Sequence, residues 1–446
     1  MEKELNLVRI KFRTLTVVLL LIMTLAMSCV FYLKRDASFD LFSEASLVSM
    51  INVAKYDIDN GGIKYGIRFM FMKGTEDVFT NFVGSAYRIY YSDDAGLYGS
   101  MAAYNSQIGL HGWVFYFFTK YIIRNSLSVL RIGCCLLLAL VLSLICYQLY
   151  KKYGLLLSSS FYLASILSPW LRNFSTNLCN VAFTWFIPML LGIICLNNLN
   201  KRFWLYPLFF LTMLVRTACG YDYIPVIMLT SIMFLVPEWI YSIKRNKKQS
   251  KLLFKAIFGV GISSLLGFAS AFIIHSYMRG DGNILAGIDD IYRNTALRRT
   301  VGVIGNSESP EAVYASSFDV LRMYLRNYKY GVSNNTTGRY ALSLLMLFPI
   351  CILFRKIMKR QHLLNRDTYL FIFSFITCIS WFILGKQHSY VHTHLNYVMW
   401  YMGFIQIGTY LILKYILKIC YYYNKEKVST LGEKIVHKLL EEIVKD

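Results

Sequence analysis

The chain has no P-loop, no GxGxxG opening a helix, no HExxH and no GxSxG. Nucleotide-driven transport and chemistry on soluble nucleotide sugars therefore have no motif to carry them, and any donor must arrive from the membrane or from outside. Charge is scarce too. Only 16% of the residues are Asp, Glu, Lys or Arg against 56% hydrophobic, with a mean hydropathy of +0.45, a balance far from that of a soluble globular chain. The ten cysteines form no CxxC and no paired spacing. Most of them, among them Cys134, Cys135, Cys146, Cys195, Cys351, Cys378 and Cys420, fall inside apolar stretches and read as small core residues, not as a disulfide framework or a metal centre. There is no internal repeat and no low-complexity linker, so residues 1–425 form one integral membrane domain.

Ten apolar stretches are present, at residues 14–33, 127–150, 154–170, 178–196, 203–219, 223–243, 254–277, 341–354, 368–384 and 396–417. The loops between them alternate between rich and poor in Lys and Arg. The basic loops hold Lys151 and Lys152, Lys201 and Arg202, the run from Lys244 to Lys248, and the residues from Arg355 to Arg360. The net charge of +22 is thus spent on orientation in a bilayer and not on a nucleic acid partner. These features predict an all-α polytopic membrane protein with about ten transmembrane helices and both termini cytoplasmic. A signal peptide also begins with a basic segment and an apolar core, but the first run is long and Ala26-Met27-Ser28-Cys29 is a poor cleavage site.

Two long loops, 34–125 and 278–340, are then extracytoplasmic, with short outer loops around Arg172, Gly220 to Asp222 and Gly385 to Leu395. Residues 108–123 (IGLHGWVFYFFTKYII) are apolar, yet counting them as a span would invert every later basic loop, so they read as an interfacial or re-entrant helix. The tail 426–446, with Leu431, Ile435, Leu439 and Ile443 four apart, predicts a cytoplasmic amphipathic helix.

Ionisable residues at membrane ends carry a functional hypothesis by default, and here they gather outside. Asp93 and Asp94 in YYSDDAGLYGS can supply a general base, with or without a divalent ion; a helix cap or a solvated turn is the alternative. Arg172, Arg216 and Asp222 stand at outer membrane ends, where a guanidinium can grip a phosphate or pyrophosphate in two-point fashion or simply snorkel to the interface. The second long loop adds Arg279, Arg293, Arg298 and Arg299, an unusual density of positive charge for an outer loop and one that an anionic ligand would explain. His388, His392 and His394 fall within seven residues. A transition-metal site wants a carboxylate or Cys nearby and this loop has none, so phosphate or sugar contact is favoured over metal ligation.

In this layout the chain resembles the GT-C superfamily of multi-spanning glycosyltransferases, which use polyprenyl-phosphate-linked sugars. A first span, a long outer loop with acidic residues and interfacial helices, and a second long outer loop after the seventh span match residues 34–125 and 278–340. Ser168-Pro169 with Arg172 looks like the Pro-and-Arg segment after the third span of such proteins. The resemblance implies a catalytic acidic position at Asp93 or Asp94. It also leaves Asp36, Asp40 and Glu44 as competitors, because the family's carboxylate usually follows soon after the first span. The implied reaction is displacement of a polyprenyl phosphate from an anomeric carbon at the outer face of a bacterial inner (plasma) membrane. The implied partners are a polyprenyl-phosphate or pyrophosphate glycolipid donor, a glycan, lipid or protein acceptor, and the membrane lipids. Two rivals are a lipid-linked oligosaccharide polymerase or ligase of O-antigen or capsule type, and a flippase or transporter, which would need charge near the bilayer midplane.

Overall fold

Helix α1 (Glu2–Lys34) carries the first apolar run. The computed structural model describes residues 2–59, 62, 64–75, 78–302, 310–326, 336–359 and 365–424; the expected tail helix at 426–446 lies outside them. The first outer segment folds as α2 (Leu41–Lys55), strand β1 (Ile67–Met72), α3 (Phe82–Ser92), strand β2 (Tyr98–Tyr104) and α4 (Leu110–Tyr121). The two strands pair antiparallel, with Ile67 opposite Tyr104 and Met70 opposite Met101. This hairpin corrects the all-helical expectation. Residues 67–71 are buried throughout, because α2 and α3 pack against β1, and a short apolar run covered in this way is as stable in a strand as in a helix. Residues 108–123 do not cross the bundle as one long helix: α4 has 12 residues and packs on α2.

The bundle follows as α5 (Leu127–Tyr153), α6 (Leu155–Ile166), α7 (Pro169–Thr176), α8 (Phe183–Asn197), α9 (Tyr206–Cys219), α10 (Ile224–Ile232), α11 (Leu235–Ser242) and α12 (Lys247–Arg279). A second outer segment of short helices, α13 (Ile284–Ile291), α14 (Leu297–Thr300), α15 (Pro310–Tyr314) and α16 (Ser317–Leu325), leads to α17 (Thr337–Lys359) and α18 (Arg366–Leu384). The chain then turns through α19 (Lys386–Val391) and α20 (Thr393–Asn396) into α21 (Phe404–Asn424).

The protein is mostly helical, and four helices, α1, α5, α12 and α18, are long and apolar enough to cross a membrane; α10 with α11, and residues 393–401 with α21, add two bent pairs. At 1.5 Å per residue the 33 residues of α12 reach about 50 Å. The expected count of ten is not reached by length. Helices α6, α8 and α9, with 12, 15 and 14 residues, fall short of the ~20 residues that a full crossing needs. The long helices show their apolar sides. Phe254, Phe258, Ile262, Leu265, Leu266 and Ile273 of α12 and Leu15 to Leu25 of α1 include large side chains that are about half exposed, as expected of surfaces that lipid would cover.

Small residues let the helices approach closely. A Cβ added at Gly267 of α12 would stand 2.2 Å from Phe210 O of α9, and one at Gly192 of α8 would stand 2.1 Å from Ser231 O of α10. Both contacts require glycine. The bundle also has two chemically distinct ends. At one, Arg366 at the start of α18 lies 5.1 Å from the Tyr153 ring at the end of α5 and pairs with Glu238 of α11 at 3.8 Å. Close by in sequence, Asp367 pairs with Lys414 of α21 at 3.0 Å. At the other end, the segments following α1, α9, α12 and α18 converge.

Candidate functional site: a cationic ring around Asp222

The turn between α9 and α10 puts Asp222 at the centre of this second end. Its Oδ1 lies 3.3 Å from Arg299 Nη2 and 3.7 Å from His388 Nε2. Arg216, in the last turn of α9, donates from Nη2 to the backbone oxygen of Asp222 at 3.0 Å. The His392 ring lies 4.5 Å from His388, and His394 lies 5.6 Å from His392. Burial works to raise the pKa of Asp222, but Arg299, then His388, Arg216 and His392, outweigh it and hold the carboxyl down at about 2. The histidines move oppositely to an exposed imidazole. Burial, then His392, push His388 well below the ordinary value, and burial takes His392 down to about 4 against the pull of Asp222. Both imidazoles are therefore neutral at pH 7.

The ring is not saturated. Arg299 Nε and Nη1, Arg216 Nε and Asp222 Oδ1 are buried and make no hydrogen bond. Leaving such buried polar groups unsatisfied costs about 1–3 kcal/mol each, and each calls for a partner such as a water, an ion or a ligand. The Asp222 side chain keeps 29% exposure while Arg299 keeps 11% and Arg216 is 2% exposed, so entry is from the Asp222 side.

A second carboxylate, Asp40, lies within electrostatic reach of Cys179 and Tyr223, as do Asp222 and Arg216 of the ring. Asp40 precedes α2 in the left-handed region at φ 50° and caps the helix, accepting from Ser43 N at 3.4 Å and Ser43 Oγ at 2.7 Å. Asn177 donates to Asp40 O at 3.3 Å and Asn180 to Asp40 Oδ2 at 3.5 Å. Burial pushes the Asp40 carboxyl up to about 7, the Ser43 bonds pull it back, and Glu44 adds to the rise. Cys179, between the two asparagines, lies within electrostatic reach of Asp40, Asp222 and Arg216 alike. Three residues here share an unusual backbone: Asp40 (φ 50°), Val181 (φ 39°) and Tyr223 (φ 65°). For the β-branched Val181 this costs on the order of 1–3 kcal/mol, and strain of that kind concentrates at functional sites.

The competitors of Asp40 are otherwise engaged. Glu44 is buried and accepts Arg131 Nε at 3.0 Å and a second contact from Arg131 Nη2, with Tyr87 Oη at 2.6 Å and Leu178 N at 3.3 Å. Asp36 is exposed and its carboxyl is held low first by the Ser38 hydroxyl.

Of the residues expected from sequence, Arg216, Asp222, Arg299, His388 and His392 meet in the ring, with Arg298 exposed at its rim and His394 behind His392. The others sit elsewhere. Asp93 closes α3 in the left-handed region, pairs with Lys55 at 2.9 Å and accepts from Tyr56 Oη at 3.1 Å. Asp94 Oδ1 accepts from Gly96 N at 2.8 Å. These are the capping roles, and the Lys55 contact is what chiefly lowers the pKa of Asp93. Arg172 is near Asp36. Arg279 clamps two outer segments together through Asp290, Asn105 O at 2.8 Å and Thr295 Oγ1 at 3.3 Å. Arg293 is exposed in an i,i+4 pair with Asp289. Asn177, Cys179, Asn180, Tyr223 and Asn396 were not singled out from the sequence. Asp40 entered from the sequence only as a competitor to Asp93 and Asp94 by its place soon after the first span, which says nothing of its neighbours across space.

Among the described residues no group of three or more His, Cys, Asp or Glu side chains is arranged to hold a metal ion. An apolar groove of about 490 Å³ between α17 and α18, lined by Phe348, Ile352, Phe371 and Phe375 among others, has no ionisable lining residue and offers no chemistry. Comparison with family models, with curated proteins and with solved structures returns no match for this chain.

Proposed function

We propose that this protein is a membrane glycosyltransferase that moves a sugar from a polyprenyl-phosphate-linked donor to a hydroxyl of a glycan, lipid or protein acceptor. It works at the outer face of a bacterial inner membrane, with ten spans and both termini cytoplasmic. Four of the spans, α6, α8, α9 and α17, are then shorter or more polar than a full crossing and are sheltered by the longer helices.

The observation that carries the reading is the juxtaposition of two unlike groups at one end of the bundle. Asp40 titrates near pH 7, where a general base is most effective. Beyond Cys179 stands a buried cationic ring with open guanidinium N–H groups. In the reaction Asp40 takes the proton of the acceptor hydroxyl while its oxygen bonds to the anomeric carbon. The bond from that carbon to the phosphate oxygen breaks, and the electron pair leaves with the phosphate. Arg216 and Arg299 stabilise the charge that grows there, in a site where low dielectric strengthens the interaction. No nucleotide enters, in keeping with the missing motifs.

The deciding experiment offers the purified protein radiolabelled polyprenyl-phosphate sugars, polyprenyl-pyrophosphate oligosaccharides and candidate acceptors. Transfer from the monophosphate class is the expected result. Transfer from the pyrophosphate class alone would make the protein a polymerase or ligase. Donor movement across vesicles without transfer would make it a transporter.

A further inference from the structure

We infer that Asp222 sets the charge of the phosphate group that the ring accepts, so that the site takes a singly charged phosphodiester and rejects a doubly charged pyrophosphodiester. This rests on reading the ring as a phosphate site.

Among the described residues the buried charges of the ring are few enough to count. Arg216 and Arg299 are positive, Asp222 is negative, and His388 and His392 are neutral, leaving one positive charge in excess. Arg298 is exposed at the rim, where water screens it. Arg279 is spent on Asp290. Lys386, on the same helix as His388, donates to Val313 O at 2.9 Å, and the His394 ring stands 5.6 Å from that of His392. Asp40, which shares the electrostatic surroundings of Cys179 with Asp222 and Arg216, adds negative charge when ionised and so weighs in the same direction against a dianion. A buried group of net charge +1 is neutralised by one negative charge. A second one enters uncompensated, which a low-dielectric site penalises heavily.

The geometry fits an exchange of partners. Asp222 Oδ1 is 3.3 Å from Arg299 Nη2 without forming a hydrogen bond, so the pair is loose. Arg299 Nε and Nη1 face no acceptor, and an entering phosphate oxygen can take them while Asp222 stays as the fixed negative charge beside it. Acidification through pH 7 acts in the same direction as removing Asp222, because Asp40, faced by Ser43, Glu44 and Asn180, takes a proton near pH 7 and its negative charge is lost. His388 touches Asp222, Asn396 and the rings of Tyr223, Trp381 and His392, and burial keeps it and His392 neutral down to pH 5.5, so the histidines add no charge over that range.

The test compares two probes of fixed charge between pH 5.5 and 8, methyl decyl phosphate (one charge) and methyl decyl pyrophosphate (two), by calorimetry on the full chain in non-ionic detergent. Wild type at pH 8 binds the singly charged probe tighter by about tenfold or more, equivalent to ~1.4 kcal/mol. Asp222→Asn closes or reverses that preference by strengthening the doubly charged probe. Lowering wild type to pH 5.5 protonates Asp40 and narrows it too, and Asp40→Asn abolishes the narrowing. An unchanged preference in a folded Asp222→Asn protein overturns the inference; should that variant not fold, an unchanged wild-type preference between pH 8 and pH 5.5 overturns it. If neither probe binds wild type, or if Arg299→Gln binds both as well as wild type, the phosphate reading of the ring itself fails.

Discussion

Tyr223 donates its hydroxyl proton to Asn396 Oδ1 at 2.7 Å, and the amide nitrogen of the same Asn396 reaches His388 Nδ1 at 3.3 Å. One side chain thus ties the turn that bears Asp222 to the histidine loop. With Nδ1 accepting, the imidazole proton stays on Nε2, the atom facing Asp222. Asn396→Leu removes both bonds and frees the ring. We expect donor affinity to fall by about tenfold, in line with the loss of one or two buried hydrogen bonds. Affinity for methyl decyl phosphate, measured beside a melting curve, separates loss of binding from loss of fold.

In the proposed reaction Asp40 is the base. Asp40→Asn should lower turnover by roughly 100-fold or more while donor affinity changes little. Asp93→Asn and Asp94→Asn, which cap exposed turns, should stay within about threefold of wild type on the same ground. Wild-type turnover should rise with pH through about 7, since the ionised carboxylate is the active form. Full activity in Asp40→Asn would remove it from the mechanism.

The same carboxyl links stability to pH. Its pKa rises from 3.8 to about 7 on folding, so the folded chain binds the proton more tightly than the unfolded one. Its favourable contribution is complete below pH ~4 and is lost as the pH climbs through ~7. Asp40→Asn should therefore melt higher than wild type at pH 8, by an amount bounded at ~4 kcal/mol, and the difference should shrink at pH 5. Equal melting at both pH values would show that Asp40 is not burdened by burial.

Arginine and lysine are not equivalent in the ring. Arg216→Lys and Arg299→Lys should weaken donor binding by about tenfold, since an ammonium cannot reproduce the planar fork, and the alanine variants should lose more. Arg293→Lys, with its exposed partner Asp289, should bind as wild type does, and Arg172→Lys should change little. Unchanged affinity at both Arg216 and Arg299 would reduce them to interfacial anchors.

Orientation is open to a direct check. Helix α12 begins at Lys247 and ends at Arg279, so reporters fused at Lys248 and Asp289 should signal from opposite sides, cytoplasmic and extracytoplasmic respectively. Signals from one side would break the charge-based orientation and with it the outer location of the ring.

Apolar run length and loop charge are local properties, and they alone determined that this is a helical membrane chain and which residues end its runs. Arg216 and Asp222 were legible as polar residues at the edge of an apolar stretch, Arg299 through the unusual positive charge of its outer loop, and His388 and His392 through their clustering in one short loop. The hairpin at Ile67–Met72 was not, because a buried strand and a short apolar helix have the same composition, and only the packing of α2 and α3 decides between them. Nor was the sorting of outer residues into those that meet and those that do not. Asp93 and Asp40 are both acidic residues in one loop. Both sit in left-handed turns of nearly the same φ, yet one ends in solvent beside Lys55 and the other takes hydrogen bonds from Asn177 and Asn180, because distant chain segments fold against the one and not the other. Asp40, Cys179, Asp222, Arg299 and His388 come from five separate stretches of chain. Their shared electrostatics exist only once the ends of α1, α9, α12 and α18 are brought together, since charge acts through distance in space and not along the sequence.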